Sequence, residues 1–200
     1  MLGEPRDAVT GDPVAAFDAW FAEARAAGLH MPEAMTLATA TPDGAPSARI
    51  VLMKGHDADG FVWFTDRRSR KGGELAANPR AALVFHWDAL GRQVRAEGAV
   101  APIDDAESWA YYRSRPRGSR IGAWASYQSA VIESRAELEA QVAAVEARFA
   151  GTDPPLPPHW GGYRLTPQRY EFWTHDDARL HERIVFTRAA DGWAGAVLSP

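Results

Sequence analysis

Three clusters in this chain have the residue types and spacing to hold anions. The segment RLHER sets Arg179, His181 and Arg183 at alternate positions between the aromatic run YEFW and the apolar run IVF. In an extended strand, residues i, i+2 and i+4 share a face, so the alternation predicts three potential cations on one surface. A second cluster joins RIVLMK, Arg49 to Lys54, to FTDRRSRKGG about ten residues later. Backbone N–H groups at a helix start opened by Ser69, reinforced by Arg70 and Lys71, make a phosphate site, and the hydroxyls of Thr65 and Ser69 add donors. Alone, such a cluster is also the composition of a solvated turn. The third is YYRSRPRGSRIGAWASYQS, in which Tyr111, Arg115 and Ser119 are spaced around Pro116. A helix end that turns sharply there converges all three on one anion; a plain basic surface loop does not.

Two anion sites, a cationic face and abundant aromatic residues suit a phosphorylated planar cofactor beside a phosphorylated substrate. The chain has no cysteine. It therefore has no disulfide and no thiol nucleophile, and redox chemistry requires a bound cofactor. None of the six histidines falls in an H-x-H or H-E-x-x-H pattern, which speaks against a metal centre. G-x-S-x-G, Walker and G-x-G-x-x-G motifs are lacking as well, so hydrolase, nucleotide triphosphatase and Rossmann readings have no support. A net charge of −4 argues against a general nucleic-acid binder. Of the 22 basic residues only Lys54 and Lys71 are lysine, and both fall in the second cluster. No basic leader with an apolar core opens the chain, and no apolar run approaches the ~18 residues that span a bilayer. A cytoplasmic protein without a membrane partner is the expectation.

The elements that must position these residues follow from periodicity. With 46% hydrophobic and 24% charged residues in a length of 200, one domain covering 1–200 is expected, with 1–12 a flexible lead-in. VAAFDAWFAEARAAG predicts an amphipathic helix presenting Val14, Phe17 and Phe21, stopped at Gly28. AMTLATA, PSARIVLMK and GFVWFTD read as strands separated by the Asp-Gly turns TPDG and HDADG. Further strands follow at RAALVFHW and RQVRAEGAVAPI, after the short Ser69 helix. Asp104 and Glu107 form a capping box for a helix ended by Pro116. Leu138, Val142, Val145 and Phe149 recur at helical spacing, which predicts a helix packed on the core. YRLTPQRYEFWT and a last hairpin turning at AADG complete an antiparallel meander. The expected fold is α+β, a small antiparallel barrel of about six strands with flanking helices.

The ordered strings RIVLMK, FTDRRSRK, RQV, YYRSRPRGSRIGAW, QS, WGGYRL, EFW and RLHER resemble the pyridoxine/pyridoxamine 5′-phosphate oxidase family, from about Met35 to Pro200. The resemblance implies a split β-barrel that forms homodimers with FMN at the subunit interface. It implies that Arg49, Ile50, Val51, Leu52, Met53 and Lys54 line the flavin, that Arg70 and Lys71 hold its phosphate, and that Phe64, Thr65 and Ser69 lie beside them. Gln93, Gln128, Ser129, Trp173 and Arg183 complete the FMN site. Lys54, Tyr111, Arg115 and Ser119 take the phosphate of a small pyridine substrate. Arg179 and His181 face its ring as catalytic residues, with molecular oxygen as the final acceptor. RLHER then serves two ligands, Arg183 toward the flavin and the other two toward the substrate.

Two departures from the family pattern stand out. Phe64 replaces a usual tyrosine, which removes a hydroxyl, and the chain starts close to its first helix, without the basic N-terminal segment that helps cover substrate in some members. The second departure leaves open an oxidase of another reduced heterocycle, as in phenazine biosynthesis. A non-catalytic carrier of FMN or pyridoxal phosphate is the remaining alternative, disfavoured because both substrate-side motifs, YYRSRPRGS and RLH, are present.

Overall fold

Asp-Gly turns and β-branched runs fold the described residues into one sheet of nine strands, three more than the roughly six expected. The computed structural model describes residues 11–200; most of the predicted flexible lead-in, residues 1–10, lies outside them. Helix α1 (Pro13–Ala26) is capped by the Asp12 side chain, which accepts from Val14 N. Strands β1 (Ala34–Ala40), β2 (Pro46–Leu52), β3 (Gly55–Asp57) and β4 (Gly60–Asp66) follow, then the short helix α2 (Arg70–Ala77). Strands β5 (Arg80–Trp87) and β6 (Arg92–Pro102) precede three helices, α3 (Asp105–Ser114), α4 (Arg117–Ala125) and α5 (Arg135–Arg148). Strand β7 (Trp160–Thr174) and the hairpin β8 (Glu182–Ala189) and β9 (Gly192–Val197) close the chain. The order is β2-β1-β5-β6-β7-β4-β3, all antiparallel, with β8 on β7 and β9 on β8. The sheet curls into a half-barrel. The strand the sequence reading lacked is the three-residue β3, too short to show a period; the six runs and the two arms of the last hairpin make up the other eight.

Strand β7 organises the sheet. Its first half pairs with β4, its second half with β8, and β6 runs along nearly its whole length. The inner face carries Leu37, Phe61, Phe85, Val94, Leu165 and Phe172, all buried, and α1 closes over them. Phe17 is fully buried there, its ring 4.9 Å from both Phe61 and Phe85, while Trp20 meets Phe172 edge-on at 5.2 Å. Thus α1 buries Phe17, Trp20 and Ala24, with Phe21 partly buried against the same core, so the buried face is turned from Val14 toward Trp20. Aromatic bulk at position 20 outweighs the smaller Val14.

The structure corrects two other readings. Helix α5 lies against α4 and none of its residues is fully buried, so its stripe of Leu138, Val142 and Val145 does not join the sheet core. Periodicity identifies an apolar face but not its partner. RLHER is not one extended strand: Arg179 adopts φ 64°, and β8 begins only at Glu182. The Asp176 carboxylate accepts from the backbone N–H of Ala178 and Leu180, and Arg179 N donates to Asp176 O, so an Asp-capped turn replaces the strand. Among the described residues no helix is long and apolar enough to cross a membrane.

Candidate active site

A cavity of about 640 Å³ opens where β2, β4, α2 and the α3–α4 corner meet. Its size is that of a small-molecule site. Arg49, Ile50, Val51 and Leu52 of β2, with Lys54 just beyond, form one wall. Phe64 and Thr65 of β4, Lys71 of α2 and Gln128 form the floor, and Tyr111, Arg115 and Ser119 stand opposite. The sharp turn at Pro116 thus brings the third cluster together, because α3 ends at Ser114 and α4 restarts at Arg117.

Ser69 opens α2 as its N-cap, accepting from Gly72 N at 3.3 Å while its hydroxyl donates to Asp66 O. This aims Lys71 inward. The ammonium donates to Gln128 Oε1 at 2.6 Å, Thr65 Oγ1 at 3.1 Å and Ser69 Oγ at 3.3 Å. Burial, and then the Arg49 charge, push its pKa below the ordinary lysine value. Beneath Arg49 lies the buried carboxylate of Glu74, which accepts from Thr39 Oγ1 (2.5 Å), Ser47 Oγ (2.6 Å), Arg49 (3.3 Å) and Arg70 Nε (2.8 Å). Burial alone would raise the Glu74 pKa; the hydrogen bonds from Ser47, Thr39, Arg70 and Arg49 outweigh it and hold the carboxyl at about 2.

The far wall is aromatic. Phe64 stacks on Tyr111 at 4.0 Å and on Trp160 at 5.4 Å, with planes 18° and 9° apart. WGGYRL supplies this packing: a Cβ on Gly162 would overlap the Ile103 side chain and come 2.9 Å from the Phe64 ring, and one on Gly161 would overlap the Arg67 guanidinium. Arg115 lies over the Trp160 ring at 4.8 Å, and its buried NH1 has no hydrogen-bond partner among the described residues. Desolvation lowers its pKa below the usual arginine value. Burial raises the Tyr111 pKa, so its hydroxyl is a protonated donor at neutral pH. Arg49, Lys54, Lys71 and Arg115 therefore face a cavity whose one lining carboxylate among the described residues, Asp66, is engaged by Arg68 at 2.8 Å. Such a site attracts anions, and the orphaned Arg115 NH1 is a donor without an acceptor.

Not every residue implied by the resemblance lies here. Met53 is packed in the core, Ser69 is consumed by the helix cap, and Arg70 is turned to Glu74 with its side chain 64% exposed. Ser129, at φ 72°, is beyond the lining. Gln93, Trp173, Arg179, His181 and Arg183 form a second set. Gln93 pairs with Trp173 across β6–β7, and Trp173 with Arg183 across β7–β8, so the three form one row. The His181 ring lies 4.6 Å from Trp173, and its Nδ1 accepts from Asp176 N. Arg183 is held by the buried Glu171 carboxylate at 2.8 Å. Sequence reasoning missed Asp66, Glu74 and Trp160, although Asp66 lies inside FTDRRSRK and Trp160 inside WGGYRL; Glu74 alone of the three fell in no quoted motif of the resemblance.

Residues 21–149 match the family described as pyridoxamine 5′-phosphate oxidase, and residues 160–200 match the pyridoxine 5′-phosphate oxidase C-terminal dimerisation region. The pyridoxine/pyridoxamine 5′-phosphate oxidase of Sphingopyxis alaskensis is 58% identical over 192 residues, covering 96% of this chain and 89% of that protein. The enzyme of the same name from Burkholderia lata is 58% identical over 195 residues, covering 96% and 91%. Among solved structures, PhzG from Burkholderia lata in complex with tetrahydrophenazine-1-carboxylic acid superposes with a TM-score of 0.91 at 32% identity, covering 97% of this chain and 95% of that one. The fold and the site thus define an oxidoreductase built on a curled half-barrel. The chain belongs to the pyridoxine/pyridoxamine 5′-phosphate oxidase family.

Proposed function

We propose that the chain is an FMN-dependent oxidase that converts pyridoxine 5′-phosphate or pyridoxamine 5′-phosphate to pyridoxal 5′-phosphate, with molecular oxygen reduced to hydrogen peroxide, acting as a homodimer with FMN at the subunit interface. The observation that carries this reading is the Arg115 guanidinium, whose buried NH1 has no hydrogen-bond partner among the described residues, set beside Lys54, Tyr111 and Ser119 on one cavity. Four donors of this kind suit a phosphate dianion. Arg49 and Lys71, with the start of α2, form a second anion-binding group fitted to the phosphate of FMN. FMN, when bound, supplies the two-electron redox chemistry.

The two sets of residues are too far apart to serve one ligand within a single copy. Trp160 lines the cavity, and Trp173 of the second set stands thirteen residues further along the same strand, about 40 Å of extended chain. A second copy resolves this: Gln93, Trp173 and Arg183 of one chain complete the flavin site of the other, and Arg179 and His181 meet its substrate. The second set falls largely within the matched dimerisation region, and Ile50 on the cavity and Leu180 beside Arg179 leave apolar side chains 65% and 66% exposed. Arg179 orients the substrate and polarises the reacting group, while His181, whose Nδ1 accepts a backbone hydrogen bond, offers Nε2–H as a donor. Arg183 answers negative charge that develops on the flavin.

Action on a reduced phenazine precursor draws support from the PhzG likeness. The chain is, however, nearly twice as identical to the Burkholderia lata pyridoxine/pyridoxamine 5′-phosphate oxidase as to the phenazine protein of the same organism. Mixing Arg115→Ala and Arg179→Ala proteins tests both halves of the proposal. Each alone is expected to form little pyridoxal 5′-phosphate, and each hybrid dimer regains one intact site, half the parent activity per dimer. Absence of any recovery, with hybrids shown to form, contradicts a shared site.

A further inference from the structure

We infer that Trp160 is a positioning residue for the substrate phosphate, holding the Arg115 guanidinium by its indole face so that the arginine's hydrogen-bond donors stay free for the ligand. The inference rests on the proposed phosphorylated substrate and adds a residue outside the anion-binding set. Other arginines near this site are tied to carboxylates: Arg49 and Arg70 to Glu74, Arg68 to Asp66, Arg120 to Asp153. Arg115 makes no such pair among the described residues. Its guanidinium rests on aromatic rings instead, 4.8 Å from the Trp160 centroid and 6.0 Å from that of Tyr112.

The difference matters chemically. A carboxylate occupies N–H donors and offsets part of the charge, whereas a π face attracts the cation without accepting its in-plane N–H bonds. Charge and donors both remain for an incoming dianion. The indole itself is fixed. Trp160 is 7% exposed and starts β7 opposite Asp66, with Phe64 parallel at 5.4 Å and Tyr112 edge-on at 5.3 Å. Through Phe64 the same stack reaches Tyr111 at 4.0 Å, so one array of rings sets both Arg115 and Tyr111. It also gives Phe64 a role that needs no hydroxyl.

The test uses the full-length, FMN-loaded protein carrying Trp160→Leu or Trp160→Phe, with pyridoxine 5′-phosphate as substrate and inorganic phosphate as competing probe. In Trp160→Leu the KM and the inhibition constant for inorganic phosphate are both expected to rise about 3- to 30-fold, the range of a desolvated cation–π contact. FMN content and kcat hold. Trp160→Phe keeps a weaker π face and falls in between. In an Arg115→Ala background Trp160→Leu adds no further loss. The inference is overturned if Trp160→Phe and Trp160→Leu lower FMN content and kcat while phosphate affinity is unchanged, or if the loss persists without Arg115. Should the unsubstituted protein not oxidise pyridoxine 5′-phosphate, the functional proposal fails. Calorimetric titration with inorganic phosphate then decides the Trp160 inference separately, by the same ratio between variants.

Discussion

Replacing Glu74 by glutamine removes the charge that ties β1, β2 and α2 together beneath the cavity. Its carboxylate accepts from Thr39, Ser47, Arg49 and Arg70, and its pKa is held at about 2 against an ordinary 4.5. At about 1.4 kcal/mol per tenfold change in proton affinity, this preference for the ionised form is worth at most about 3.5 kcal/mol. Screening by water at the cavity edge brings the expected contribution to about 2 kcal/mol. A carboxyl whose folded-state pKa lies below its unfolded value stabilises the fold fully above the unfolded value and ceases to do so as the pH falls through the folded one. The window therefore runs from pH 4.5 down to about 2. At pH 7 Glu74→Gln is expected to unfold about 4–8 °C below the parent, the equivalent of that energy in a chain of this size. By pH 3 most of the gap has closed. Urea unfolding at pH 7, 5 and 3, at one protein concentration, measures it. A gap that stays constant across this range, or never appears, refutes the assignment of the low pKa to these hydrogen bonds.

Other outcomes follow from the same geometry. Gly162→Ala drives a methyl group into Ile103 and toward Phe64; overpacking of this kind costs about 1–3 kcal/mol, read as a lowered Tm, and disturbs the ring stack enough to raise KM. Lys71→Met removes the ammonium bound by Thr65, Ser69 and Gln128 and is expected to weaken FMN at least tenfold in a fluorescence titration, with riboflavin, which lacks the phosphate, much less affected. Arg179→Ala cuts turnover and leaves FMN binding intact; equal turnover in steady-state assays removes its proposed role.

Most of the sheet was legible because its turns are spelled by glycine at positive φ: Gly44, Gly60, Gly91 and Gly192 all adopt it, and each bounds a strand read from the sequence. Helix α4 was not legible, since Pro116 was read as the end of the preceding helix and the basic run after it also fits a surface loop, whereas Pro116 only precedes the first turn of α4. The alternation in RLHER misled for a related reason. Asp176, three residues upstream, captures the backbone before a strand can start. Within the site, the residues that offer donors to a ligand were found, and the groups that support them, Asp66, Glu74 and Trp160, were not. Glu74 looks like an ordinary helix-surface glutamate until Thr39, Ser47 and Arg49 fold onto it. The division of the motifs into a cavity and a remote row is likewise a property of β7's length, which no single motif reveals.

The measurement that tests the account most directly is the anaerobic visible spectrum of the FMN-loaded protein before and after pyridoxine 5′-phosphate is added, followed by admission of air. Bleaching of the flavin band, its return with oxygen, and stoichiometric pyridoxal 5′-phosphate are predicted. A flavin that binds but stays oxidised with pyridoxine 5′-phosphate and with pyridoxamine 5′-phosphate contradicts the proposed substrate, and a protein that binds no FMN contradicts the site itself.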